Sequence, residues 1–480
     1  MRAGHAVDLA VVNGRAVLPG QGTVEADLWV RAGRIVGIVS PGTPVQATDT
    51  LDVAGLTVLP GAIDAHIHMG SDITMAKTHE EVTGETASAI AGGVTTVLAY
   101  LMSAQPYEDL FPDAVRVMEE HSACDFGFHF CIGTQHQLDE LPAYVRDLGV
   151  SSFKFFMNFK GEEGKYLNLP SNDDGFLWQL LERSVGIGAM VNPHAENIEL
   201  VWHLREAARA AGGPDLVAWN NARPPIVEAE AEARAGMFAE VLDASMYAVH
   251  CSSKLALDAL RARRATHDGI FIETCPHYLL LDQEAGIGTY GKVNPPLRTA
   301  ADRGALWQAV ADGNVDVVGS DHVPRHKSAK EKDIWSASAG FPGIETLLPL
   351  LLSEGHVRRN IPLERIVEVV ATRPAQLFGL APRKGAISVG ADADLAIVDF
   401  GRATTFSGPR MRSAAAYTPY EGLEVAVAIT HTILGGRVVV RDGQVTGGGG
   451  GRYLHRSRSG RAALAALSGG AAEARRGGGA

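Results

Sequence analysis

Between residues 58 and 380 short apolar runs alternate with longer amphipathic ones, and few architectures accept that pattern. Strands are predicted over 63–68, 94–100, 127–132, 152–156, 188–193, 246–251, 270–274 and 315–320. Amphipathic stretches such as 112–121 and 226–243 lie between them. Eight such β/α alternations predict an α/β chain folded as a TIM barrel rather than an open sheet. The flanks have another rhythm. Runs at 7–12, 15–18, 26–30 and 34–38 are short, β-branched and separated by Gly, Asn or Pro. Matching runs return at 394–398, 425–429, 432–434 and 437–440, with Gly435-Gly436 and Asp442-Gly443 as turns. Two β groups around a long middle predict one small β-sandwich built from both chain ends, 1–57 with 381–446, beside a barrel over 58–380. Residues 447–480 open with a run of glycines and read as a flexible tail, with room for a short helix over 462–467.

Composition narrows the function classes. The chain has 480 residues, 46% hydrophobic and 20% charged, ordinary globular values and enough length for a barrel plus a smaller domain. A net charge of −12 argues against nucleic acid or an anionic membrane as partner, since either needs a basic face. No apolar run reaches the roughly 18 residues a membrane span requires. The N-terminus lacks the basic-then-apolar pattern of a signal peptide. Cys124, Cys131, Cys251 and Cys275 form no C-x-x-C pair and read as reduced thiols in a cytoplasmic protein.

Polar residues fall where a barrel places its chemistry, at the C-terminal ends of strands. The first strand runs into Gly61-Ala-Ile-Asp-Ala-His66-Ile-His68. Alternation along a strand points His66 and His68 the same way, making half of a metal cage. Lys154 lies on the fourth strand between aromatic residues; His194 ends the fifth, His250 the sixth, and Asp321 the eighth. Each residue alone has a bland reading: a salt-bridged lysine, a satisfied core histidine, a helix N-cap. Six ligand-type side chains on five strand ends share no such structural excuse.

These motifs resemble the amidohydrolase superfamily, and within it the cyclic amidohydrolases: hydantoinase, dihydropyrimidinase, allantoinase and dihydroorotase. The similarity runs to about residue 446. It includes the split β domain, the H-x-H, the Phe-Lys segment, Pro193-His-Ala-Glu-Asn, His250-Cys-Ser-Ser, Glu273-Thr-Cys-Pro-His-Tyr-Leu, Lys292-Val-Asn-Pro-Pro-Leu-Arg, Ser320-Asp-His, Phe341-Pro-Gly-Ile-Glu and Thr418-Pro-Tyr-Glu-Gly. The resemblance implies a binuclear centre in which His66, His68 and Asp321 hold the more buried metal, and His194 and His250 the more exposed one. Lys154, carboxylated by carbon dioxide, would bridge them. An ammonium cannot ligate a cation, but an N6-carboxylysine is a carboxylate on a long arm that spans ions about 3.5–4 Å apart. Zinc suits these ligand types, as do manganese, iron, cobalt and nickel. The implied reaction is opening of a cyclic amide or imide. The metals supply hydroxide from a bridging water near neutral pH, and Asp321 serves first as general base and then as acid.

Departures from the family bear on the ring. Dihydroorotases follow the H-x-H with x-R to grip a carboxylate; here Met69 and Gly70 follow, although Lys292-Val-Asn294-Pro-Pro is similar to that branch. Hydantoinases and dihydropyrimidinases carry an oxyanion-donating tyrosine five residues after the lysine, where this chain has Phe159. Losing one such donor costs about 2.7–4 kcal/mol, so Asn158, Tyr166 and His129 are candidates to replace it. Glu273-Thr-Cys-Pro-His277 and Gly319-Ser-Asp321-His322 lean towards allantoinase. Asn294 is a candidate ring-imide contact, and Met69, Met102, Phe159 and Phe341 candidate pocket walls. The expected substrate is therefore a hydantoin-, dihydropyrimidine- or allantoin-like ring. The expected assembly is a homotetramer or dimer. Intact ligands argue against the alternatives, a non-catalytic dihydropyrimidinase-like scaffold and a one-metal deaminase.

Overall fold

The computed structural model describes residues 6–70, 79–161, 163–165, 168–447 and 449–477. Eight parallel strands follow one another in chain order: β1 (Ala62–Ile67), β2 (Val94–Leu101), β3 (Asp125–Cys131), β4 (Ser152–Phe156), β5 (Met190–His194), β6 (Ser245–Ala248), β7 (Ile270–Thr274) and β8 (Val317–Val318). Their residues are buried on both faces, so they read as apolar runs rather than alternating ones. The ring closes where His322, just past β8, bridges in parallel to Ile67 and its carbonyl accepts from His68 N at 2.8 Å. The TIM barrel predicted from the alternation is the fold found. β8 is shorter than the expected 315–320 because the chain leaves the ladder there: Ser320 N donates to the Asp64 carboxylate (3.0 Å) instead.

Both chain ends enter one nine-stranded sheet. Five strands come from residues 6–60 and four from 395–445. They join where Thr57–Pro60 pairs antiparallel with Leu395–Asp399. Gly435 and Gly436 close one hairpin with φ of 53° and 77°, a turn only glycine adopts without strain. The expected strands 425–429 and 432–434 are instead one continuous strand, Ala428–Leu434, preceded by a two-residue pairing of Glu424–Val425 with Thr404–Thr405. A second core, including Leu9, Val11, Leu28, Ile35, Val58, Leu395, Ile397 and Ile433, draws on both ends of the chain.

The tail departs from expectation. Tyr453 bridges in parallel to Phe126 at the start of β3, and Leu454 N donates to Phe126 O at 2.8 Å. Arg456 is fully buried, donating to Ser152 Oγ (3.1 Å) and to the Phe128 carbonyl. Ser459 meets Ser151 (2.7 Å), and a helix, Arg461–Gly477, follows. The segment thus seals the N-terminal end of the barrel, the face of such folds concerned with stability. Gly450, Gly451 and Gly460 serve close approach there. A Cβ on Gly451 would lie 1.9 Å from Cys124 O. Beside it, Lys384, Arg452 and Arg383 neutralise the buried cluster of Asp125, Asp392 and Asp394, so that acidic group is an ion-pair network.

Candidate metal centre

At the opposite end of the barrel, His66, His68, Lys154, His194, His250 and Asp321 all line one cavity of about 410 Å³. His66 Nε2 lies 3.1 Å and His68 Nε2 3.7 Å from the same Asp321 oxygen. Donor atoms of these three residues fall within 4.8 Å of one another. Beside them His194 Nδ1 and His250 Nε2 face each other at 2.9 Å. The rings of His66 and His250 are 5.4 Å apart, which makes the two groups neighbours. His250 and Asp321 hold φ of 45° and 47°, a left-handed backbone rare outside glycine and concentrated at functional sites.

Burial and the neighbouring charges shift His66, Asp321, His194, His250 and Lys154. Burial would push His66 down, but the Glu273 and Asp321 carboxylates hold it up, to about 9. Burial would raise Asp321, yet His66 and His68 hold it below the usual carboxylate range. His194 is pushed down by burial against the pull of Glu196, and His250 further down by burial and the charges of His194 and Lys154. Neutral imidazole is the ligating form. Lys154 is buried, its ammonium 4.7 Å from the Tyr100 ring centre and 5.0 Å from that of Phe156. Burial lowers it to about 8, opposed by Asp321 and Glu273.

Several supporting groups escaped the sequence reading. Glu273 on β7 takes His66 Nδ1 at 2.7 Å, the His250 amide at 2.8 Å and the Tyr247 hydroxyl at 2.7 Å. Engaging Nδ1 leaves the His66 Nε2 lone pair for a ligand, the usual way an outer partner fixes a ligating tautomer. Glu196 engages His194 through Nε2 (2.9 Å), leaving Nδ1 towards His250, and is itself held by Arg223 (2.6 Å). The available signal was a lone carboxylate in each of two otherwise buried strand-end motifs. Glu273→Gln is expected to weaken divalent-metal binding by about 10–100-fold. Activity should recover at saturating metal, so metal titration followed by both binding and rate separates orientation from general damage.

Asn294 and Phe159 line the cavity. Asn294 Oδ1 accepts from Trp219 Nε1 at 3.1 Å, and Phe159 stacks on Phe156 with centres 4.2 Å apart. Among the described residues, Met69 and Phe341 do not line it, which corrects their expected place on its wall. Met69 packs in the barrel core, and Phe341 lies edge-on against His277. Met102 packs with Tyr100 and Phe159 behind the wall. His129 is corrected too: its nitrogens are engaged by Ser152 (2.6 Å) and the Ala65 carbonyl (3.0 Å), away from the cavity. Asn158 lines the cavity, with a buried Oδ1 that has no hydrogen-bond partner. Tyr166 lies outside the described residues.

Comparison with known proteins agrees with this geometry. The amidohydrolase family pattern matches residues 220–439. A D-hydantoinase of Geobacillus stearothermophilus is 33% identical over 91% of this chain and 94% of its own. An allantoinase of Deinococcus radiodurans is 35% identical over 92% and 98%. The solved structure of a dihydropyrimidinase from Brevibacillus agri superposes with a TM-score of 0.85 at 31% identity, covering 94% of this chain and 99% of that one. This chain belongs to the amidohydrolase family, in its cyclic amidohydrolase branch, and is a hydrolase acting on cyclic amides.

Proposed function

We propose that this hydrolase opens a hydantoin-, dihydropyrimidine- or allantoin-like ring with two divalent metal ions and a carboxylated Lys154. The observation that carries the reading is the convergence of six ligand-type side chains from five strand ends on one cavity. The donor set fits a divalent cation: His66 Nε2 and His68 Nε2 both face one oxygen of the Asp321 carboxylate, with donor atoms within 4.8 Å of one another. His66, His68 and Asp321 would hold one ion and His194 and His250 the other, with carboxylated Lys154 reaching both. The depressed Lys154 leaves a larger share of neutral amine, the form that adds carbon dioxide. Zinc is the expected metal, with manganese, iron, cobalt or nickel compatible. When bound, such ions acidify a water to near pH 7 and polarise a ring carbonyl.

The chain's own groups do the rest. Asp321, ionised and at the centre of the donor set, takes the proton of the attacking water and returns it to the ring nitrogen as the C–N bond breaks. Asn294, oriented by Trp219, is placed to bind the ring imide. Phe156 and Phe159 form a flat apolar wall that excludes bulk water. Asn158 supplies the polar group that Phe159 does not. Four buried, unpaired cysteines fit a reducing cytoplasm, and among the described residues no helix is long and apolar enough to cross a membrane. A homotetramer or dimer is the proposed assembly.

The test is metal-reconstituted protein, supplied with bicarbonate, assayed on hydantoin, a 5-substituted hydantoin, dihydrouracil, allantoin and dihydroorotate. Metal per chain is measured on the same sample. The expected result is about two ions per chain and opening of at least one ring. Full-length protein that takes up no metal under these conditions overturns the reading.

A further inference from the structure

The cavity has a second chemical character away from the strand ends. Trp219 and Trp335 lie with ring centres 5.9 Å apart and both line it. Three cations sit on these indoles: Lys292 Nζ at 4.0 Å and the Arg223 guanidinium at 5.1 Å from Trp219, and the Arg209 guanidinium at 5.0 Å from Trp335. Arg205 lines the same wall. Carboxylates answer only part of this charge. Glu163 takes Arg205 (2.8 Å) and Glu196 takes Arg223 (2.6 Å). The buried Lys292 ammonium donates to the carbonyls of Ala337 (2.6 Å) and Trp335 (3.3 Å), which are neutral acceptors. Arg223 is buried, and among the described residues its Nε has no hydrogen-bond partner.

A loop tether accounts for the Lys292 contacts but not for the Arg223 guanidinium on the same indole. Burial, and next the charge of Arg223, push the Lys292 ammonium down to about 7. Of these cations Lys292 and Arg223 are buried together on one indole, which is costly unless anions join them; Glu196 answers Arg223, and the chain as a whole carries −12. A bare five-membered ring would also leave much of the 410 Å³ unfilled.

We propose that Lys292, Arg223 and Arg205 form a carboxylate-binding subsite, and that the substrate is a cyclic amide bearing a carboxylate on a short aliphatic arm. The arm's methylenes would lie along Trp219 and Trp335, and its carboxylate would meet the Lys292 ammonium beside the Arg223 guanidinium. This rests on the ring-opening reading above and names the substrate class for the same site.

The test compares two near-isosteric rings on the metal-loaded wild type, 5-(2-carboxyethyl)hydantoin and 5-(2-carbamoylethyl)hydantoin. A charge-assisted contact predicts a kcat/KM at least about tenfold higher for the carboxylate, expressed mainly in KM and reduced in 0.5 M salt. Lys292→Gln should collapse the ratio to within about threefold, and Arg205→Gln serves if that variant does not fold. Equal rates on the two rings in wild type overturn the subsite alone. So does a ratio that survives both substitutions. If neither arm-bearing ring opens while another ring in the panel does, the subsite fails and the ring-opening reading stands. Silence on every ring overturns both.

Discussion

Replacing Asp321 by asparagine is expected to lower ring opening by about 10⁴-fold, the larger of the effects foreseen on activity. The carboxylate is buried and faces His66 and His68. Those imidazoles hold it below the usual carboxylate range, so it is ionised at neutral pH, the form a general base requires. Asparagine keeps the shape and one carbonyl oxygen. It cannot take a proton from water or deliver one to a leaving nitrogen. Two measurements separate its roles as base and as ligand. If metal content falls with activity, the ligand role dominates. If metal content is retained and kcat alone collapses, proton transfer does. Activity near wild type with a full metal complement would falsify the assignment of Asp321 to proton transfer.

Much of this site was legible because its candidate ligands lie at strand ends, where the period of two fixes which way a side chain points. His66 and His68 flank Ile67 in sequence and lie on one side in space; the others fall on later strands at matching heights. Residues placed by loops were less legible. Met69 follows a ligand, yet its direction depends on the turn leaving β1, and it packs into the barrel. Phe341 looked like a wall residue and instead supports His277. Glu273 was visible only as one letter of a motif. Its three bonds, to two ligand residues and a tyrosine, join groups far apart in the chain, such as His66, and no local pattern encodes them. Lys292 and Arg223 are brought onto one indole by two separate loops, so their shared charge has no sequence signature at all.

The tail shows why glycine-rich composition misled, and it yields the largest expected effect on stability. Deleting residues 451–480 is expected to lower the melting temperature by on the order of 10 °C. The deletion uncovers the apolar surface that Leu454 fills in the core, worth about 1.5–3 kcal/mol alone. It strips the Phe126 amide and carbonyl of their partners, Arg452 O and Leu454 N, at the sheet's start, each left unsatisfied at about 1–3 kcal/mol. It leaves the Phe128 carbonyl and Ser152 Oγ without Arg456. Asp125 then keeps Lys384 but loses Arg452. These groups lie at the N-terminal end of the barrel, away from the cavity ligands. Per-site kcat measured well below the transition should therefore change far less than the melting temperature. Single substitutions refine the point. Arg456→Ala leaves a buried void, takes the side-chain donor from the Phe128 carbonyl and leaves Ser152 Oγ with His129 alone, and should reproduce part of the loss, whereas Gly451→Ala should disturb docking through its clash with the Cys124 carbonyl. A truncated chain that melts within about 2 °C of the full one would mean that the barrel closes its own base and the tail merely rests on it.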